Sequence, residues 1–120
     1  MSKYIVLGAS PNPIRHSYKA VKSLIRRNKD VIPIGFRKGN ISGIEILKGK
    51  PEISGDFIVL LYMGAKRQTE YYNYIIKVLK PVKIIFNPGT ENRELEDLAI
   101  NEGIEVITGC ALVMINGNQI

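Results

Sequence analysis

Three short segments of the 120-residue chain combine side chains and backbone suited to holding phosphate. The first reads Gly8-Ala9-Ser10-Pro11-Asn12-Pro13-Ile14-Arg15-His16-Ser17. Gly8 permits a tight turn, after which the backbone N–H groups around Ala9 join the hydroxyls of Ser10 and Ser17 and the carboxamide of Asn12. At the start of a helix such groups, together with the helix dipole, favour a bound anion, and Arg15 adds a cation. The second segment is Gly35-Phe36-Arg37-Lys38. An NAD-binding chain places an acid at the end of its second strand to hold the ribose 2′-hydroxyl. Here Arg37 and Lys38 favour a ribose with an extra phosphate, the 2′-phosphate of NADP or the 3′-phosphate of coenzyme A. The third, Asn87-Pro88-Gly89-Thr90, offers a carboxamide, an approachable backbone and a hydroxyl, and Tyr62 to Arg67 is a candidate wall. The plainer alternatives are turns, helix starts and solvated charges.

Chemistry that breaks bonds has less support. The second and third glycines of G-x-G-x-x-G are missing, and there is no G-K-[ST] of a P-loop. His16 and Cys110 are the only histidine and cysteine, so no Cys/His zinc cluster and no internal disulfide can form. No acid or nucleophile stands at a fixed spacing from His16. Glu91, Glu94, Glu96 and Asp97 read as the solvated start of a helix.

The elements that must position these loops follow from periodicity. The continuous apolar run Tyr4–Leu7 reads as a strand buried on both faces, and Val31–Ile34, Phe57–Leu61, Lys83–Phe86 and Ile104–Ile107 read as further strands. Between them, Tyr18, Val21, Leu24 and Ile25 mark a helix capped by Ser17. Tyr71, Tyr74, Ile75, Val78 and Leu79 mark a second helix, over about Gln68 to Leu79, stopped by Pro81. A third runs from the cap Asn92 to the stop Gly103, and Cys110 to Ile115 adds a last helical turn or two. Ile44–Leu47 fits a short edge strand. Tyr71, Tyr72 and Tyr74 suit core or dimer packing. The expectation is an α/β, Rossmann-like three-layer fold, a five-stranded mostly parallel sheet with helices on both faces, in a single domain over residues 1–120. In such sheets the ligand sits at the carboxyl ends of the strands, where the strand order reverses, which is where the three loops fall.

Composition narrows the partners. The apolar share is 45% and the charged share 23%, as in ordinary globular domains, and no apolar run approaches the roughly 20 residues a membrane-spanning helix needs. The opening residues also lack the apolar core of a secretory signal, so a cytoplasmic protein is expected. The net charge of +6 is unevenly placed: residues 1–50 hold eleven Lys and Arg against two acids (+9), and residues 51–120 hold six against nine (−3). A basic half points to an anionic partner. Lys19, Lys22, Arg26 and Arg27, however, lie on the outer face of the first helix without aromatic platforms, which argues against nucleic acid and leaves Arg15, Arg37 and Lys38 aimed at the crevice.

The opening loop Gly8-Ala9-Ser10-Pro11-Asn12-Pro13, Ser17-Tyr18, the Val31-Ile32-Pro33-Ile34 strand, Asn87-Pro88-Gly89 and the late Cys110 resemble the small stand-alone CoA-binding domain family, relatives of the nucleotide-binding domain of the succinyl-CoA synthetase alpha subunit. The resemblance spans essentially the whole chain. It implies a Rossmann-like domain that holds the nucleotide half of coenzyme A or an acyl-CoA, with Gly8, Ala9, Ser10 and Asn12 at the diphosphate and Arg37 or Lys38 at the 3′-phosphate. Gly35-Phe36-Arg37-Lys38 stands where the family commonly has an Asn-Pro-Lys type of turn, and no phosphorylated-histidine loop is present, so the synthetase reaction is not implied. The reading is a binding module for a small nucleotide ligand, through Gly8, Ala9, Ser10, Asn12, Arg15, Ser17, Arg37, Lys38, Tyr62, Asn87, Pro88 and Gly89, with a homodimer or an enzyme as partner. Cys110 is a candidate for thiol exchange with coenzyme A, against the plainer role of a small buried apolar side chain. The rivals are an NADP-binding oxidoreductase or redox sensor in the same crevice, and a nucleic-acid binder.

Overall fold

The computed structural model describes residues 3–120. Strand β1 (Lys3–Ala9) leads to helix α1 (His16–Arg26) and strand β2 (Val31–Gly35). Three two-residue strands follow, β3 (Asn40–Ile41), β4 (Ile44–Glu45) and β5 (Leu47–Lys48), and then β6 (Phe57–Leu61). A compound helical segment, with α2 (Ala65–Gln68), a 3₁₀ turn (Thr69–Tyr71) and a π-helix (Tyr74–Leu79), leads to β7 (Lys83–Phe86), α3 (Arg93–Asn101), β8 (Glu105–Thr108) and α4 (Ala111–Asn116). The main sheet is parallel throughout, in the order β5-β2-β1-β6-β7-β8. Counting only its own strands, this is the 3-2-1-4-5-6 order of doubly wound nucleotide-binding sheets. The chain builds outward from β1 to β5, then returns to the other side of β1 to start β6. The order therefore reverses between β1 and β6.

Side chains alternate across the sheet, and each face packs its own core. Ile5 and Leu7 of β1, Phe57, Val59 and Leu61 of β6, and Ile84 and Phe86 of β7 meet Ile75, Leu79, Leu95 and Ala99 of the π-helix and α3. Tyr4 and Val6, Ile58 and Leu60, and Ile85 turn the other way, onto Ala20, Val21 and Leu24 of α1 and Ala111 and Ile115 of α4. Burial on both faces is why these strands read as unbroken apolar runs.

Four expectations need correction. The sheet has six strands rather than five. The proposed edge strand Ile44–Leu47 divides: Ile44–Glu45 folds back antiparallel on Asn40–Ile41, and Leu47–Lys48 pairs with β2 as the edge. Ser17 is not a cap, because α1 begins one residue earlier with Arg15 in the capping position, and Ser17 is buried within the first turn. The second helix starts at Ala65, and its second half winds as a π-helix that ends at left-handed Lys80, φ 47°, before Pro81 is reached. The wider π turn brings Ile76 into the core at 8% exposure and turns Val78 out to 36%, the reverse of the α-helical expectation for Val78. Tyr71 and Tyr74 belong to the core, and the half-buried Tyr72 accepts a hydrogen bond from Asn92 Nδ2 at 2.8 Å. Asn92 caps α3 by accepting from the Leu95 N–H, and left-handed Gly103, φ 78°, follows its end.

Candidate functional site

A cleft of about 540 Å³ opens at the carboxyl ends of the strands, over the reversal between β1 and β6. Two glycines let the backbone come together beneath it. Gly8 has φ +99°, and a Cβ there would lie 2.9 Å from the carbonyl carbon of Tyr62. The ends of β1 and β6 touch at this point, and the Tyr62 N–H donates to Leu7 O at 2.8 Å. Gly35 closes the β2 side, since a Cβ there would fall 2.1 Å from Ala9 O. No side chain larger than hydrogen fits either contact.

The loop after Gly8 is shaped from within. Ser10 Oγ accepts from the Asn12 N–H at 3.1 Å, Asn12 Oδ1 accepts from the Ile14 N–H at 3.2 Å, and the Arg15 N–H donates to Asn12 O at 3.1 Å. Both side chains act as acceptors toward the loop, which leaves the Ser10 O–H and the Asn12 amide N–H groups as donors, the polarity an anion requires. The loop delivers the chain to the N-terminus of α1, whose first N–H groups have no partner within the helix.

Gly8, Ala9, Ser10, Asn12, Arg15, Ser17, Arg37, Tyr62 and Pro88 all line the cleft. Lys38, Asn87, Gly89 and Cys110 are outside this lining. Lys38 is exposed next to Arg37. Asn87 is only 3% exposed and works as a bracket: its Nδ2 donates to Leu61 O at 2.9 Å, and its Oδ1 accepts from the Ala111 N–H at 2.8 Å, tying β6 to the start of α4. The Gly89 N–H is taken by Glu91 Oε1 at 2.8 Å. Cys110 is half-buried at the start of α4, a helix of six residues.

The lining also includes His16, Phe36, Met63, Gly64, Arg67 and Thr90. Met63, Gly64 and Arg67 lie in the Tyr62 to Arg67 wall, and His16, Phe36 and Thr90 in the three loops, that the sequence marks out. Gln68, fully buried, holds the two loops together: its Nε2 donates to Met63 O and to Thr90 O, both at 2.8 Å, and its Oε1 accepts from Asn92 at 2.9 Å. Nothing in the polarity of a lone glutamine marks it for that role. Tyr62 is the one lining residue with a strongly displaced titration. Its hydroxyl is buried without a hydrogen-bond partner among the described residues, and burial, with a smaller contribution from the charge of nearby Cys110, pushes the phenol well above its ordinary value.

The lining carries Arg15, Arg37 and Arg67 and, among the described residues, no carboxylate. Such a surface selects anions and can hold a polyphosphate with hydrogen-bonding donors on one side and fixed charge on the other. None of the helices over the described residues is long and apolar enough to cross a membrane.

Comparison with known proteins agrees with this geometry. The chain matches, with 42% identity and a TM-score of 0.95 over 100% of its length and 98% of the other, a crystal structure described as that of an uncharacterized protein. A hypothetical protein from Pyrococcus horikoshii OT3 shares the fold at 24% identity and a TM-score of 0.84, over 98% of this chain and 83% of that one. So does the cell-free ID.343 protein from Thermus thermophilus, at 18% identity and a TM-score of 0.85, over 99% and 91%. No curated protein matches. Residues 2–116 match the family model of the CoA binding domain, and with nearly its whole length inside that match the chain belongs to the CoA-binding domain family.

Proposed function

We propose that this protein binds coenzyme A or an acyl-CoA through its nucleotide diphosphate, as a cytoplasmic binding module without catalytic groups of its own. The observation that carries the reading is the lining of the cleft, three arginines and a donor-rich loop with no carboxylate, at the strand-order reversal of a CoA-binding-family sheet. In this reading Gly8, Ala9, Ser10 and Asn12 hold the diphosphate, Ser17 and the start of α1 complete its cradle, and Arg15 balances its charge. Arg37, at the end of β2, takes the 3′-phosphate, with Lys38 next to it adding long-range attraction. Tyr62 and Pro88 form walls. Asn87 and Gly89 support the site from behind.

Thermal denaturation with added ligands tests the reading. Coenzyme A at 100 times its dissociation constant adds about 2.7 kcal/mol of stability. Stabilisation by NADP but not by coenzyme A would sink the proposal and favour the oxidoreductase reading. A native mass spectrum of the purified protein, recorded without reductant, adds an independent check on which nucleotide remains bound and on whether Cys110 carries a coenzyme A disulfide.

A further inference from the structure

Phe36 is a large aromatic residue that stays 41% exposed at the mouth of the cleft, immediately after β2. Its ring is fixed from below: it stands edge-on to Tyr71 at 6.1 Å and 83°, Tyr71 stands edge-on to Tyr74 at 6.3 Å, and Tyr74 Oη donates to Pro51 O at 2.6 Å. The free face is covered by the guanidinium of Arg67, 4.3 Å from the ring centroid. Arg67 is itself exposed and, among the described residues, forms no ion pair. An aromatic platform under an exposed guanidinium plane that is free of ion pairs among the described residues is an arrangement that can take up a flat heteroaromatic base between its two faces.

We propose that Phe36 and Arg67 form a base clamp, closed on itself in the free protein, into which the purine of the bound nucleotide inserts. Its position fits, because β2 and β6 flank β1, so a nucleotide with its diphosphate at Gly8 and its ribose phosphate at Arg37 carries its base between Phe36 and the segment after β6. This inference rests on the nucleotide-binding reading above, but the clamp recognises the base, whatever the group beyond the diphosphate. It makes Phe36 and Arg67 specificity-determining residues and gives Arg67 two positions, on the ring when empty and on the base when full.

The chain contains no tryptophan, so Phe36→Trp installs a single indole reporter at the platform. Coenzyme A and ADP are expected to quench its emission by stacking, and 4′-phosphopantetheine, which lacks the base, is not. Calorimetry on Phe36→Ala and Arg67→Ala is expected to show coenzyme A affinity about 5- to 150-fold weaker, the range that base–aromatic stacking carries. Arg67→Ala serves if the first variant folds poorly, since that side chain is exposed. If coenzyme A binds the wild-type protein while the indole is unchanged and both alanine variants bind within twofold of it, the clamp is refuted and the coenzyme A reading stands. If ADP quenches the indole but coenzyme A does not bind, the clamp stands and the coenzyme A reading fails. If none of these ligands binds, both fail.

Discussion

Replacing Asn87 with alanine separates two roles that a loop amide can play, touching ligand or holding the fold. The carboxamide is 3% exposed and bridges Leu61 O and the Ala111 N–H, and both of those residues are fully buried. Alanine leaves one carbonyl and one N–H without partners. A buried polar group deprived of its hydrogen bond costs about 1–3 kcal/mol, so the pair costs about 2–6 kcal/mol, a large share of the 5–15 kcal/mol typical of a domain. For a chain of this length, each kcal/mol lowers the melting temperature by roughly 3–6 °C. Asn87→Asp does no better, because it keeps an acceptor for Ala111 but sets a carboxylate oxygen against the Leu61 carbonyl. Urea denaturation followed by circular dichroism gives the stability change from the midpoint at constant slope. Calorimetry on the folded variant at low temperature then gives coenzyme A affinity, expected within about threefold of wild type because a bracket behind the site makes no ligand contact. A variant as stable as wild type that has lost coenzyme A binding would refute the bracket and return Asn87 to the ligand.

Tyr62→Phe is expected to leave stability unchanged or raise it by up to about 1 kcal/mol, because it removes a buried hydroxyl that has no partner; a loss of more than that would reveal one. Burial raises the phenols of Tyr4, Tyr62, Tyr71 and Tyr74, that of Tyr74 to about 12. The folded chain thus keeps protons that the unfolded chain releases above pH 10, so stability is full below pH 10 and declines as pH rises toward 12. Urea midpoints at pH 8 and pH 11 should show this decline and its partial relief in Tyr62→Phe; midpoints that do not change would contradict it. Gly8→Ala forces a side chain into φ +99° and to 2.9 Å from the Tyr62 backbone, and should cost on the order of 2–3 kcal/mol along with coenzyme A affinity. Gly64→Ala, with nothing within 4 Å of its added Cβ, is the control; equal melting temperatures for the two variants would rule out the close approach of β1 and β6.

The π-helix shows where local reading stops. Spacing in Tyr71 to Leu79 is compatible with an ordinary α-helix that buries Val78. The choice of the wider turn is made by the sheet, which accepts Tyr74, Ile75, Ile76 and Leu79 together. Two-residue strands such as Leu47–Lys48 are similarly illegible, since a pair of residues has no period to read and only the edge of β2 recruits them. Ser17 has the chemistry of a cap, yet the helix starts one residue earlier and buries it.

By itself the sequence determined the five long strands, the alternation with helices, the donor-rich composition of the loop after Gly8 and the absence of an acid at the end of β2. Each is a local matter of apolar runs, helix entry and residue charge. The tertiary structure alone decided which of these charges meet. Arg15, Arg37 and Arg67 are far apart in the chain and become one lining only because β2, β1 and β6 lie side by side with their carboxyl ends aligned. It also set Asn87 between Leu61 and Ala111 and joined Phe36 to Arg67 across 31 positions, because hydrogen-bond partners and stacking faces are set by strand order, which no local pattern encodes.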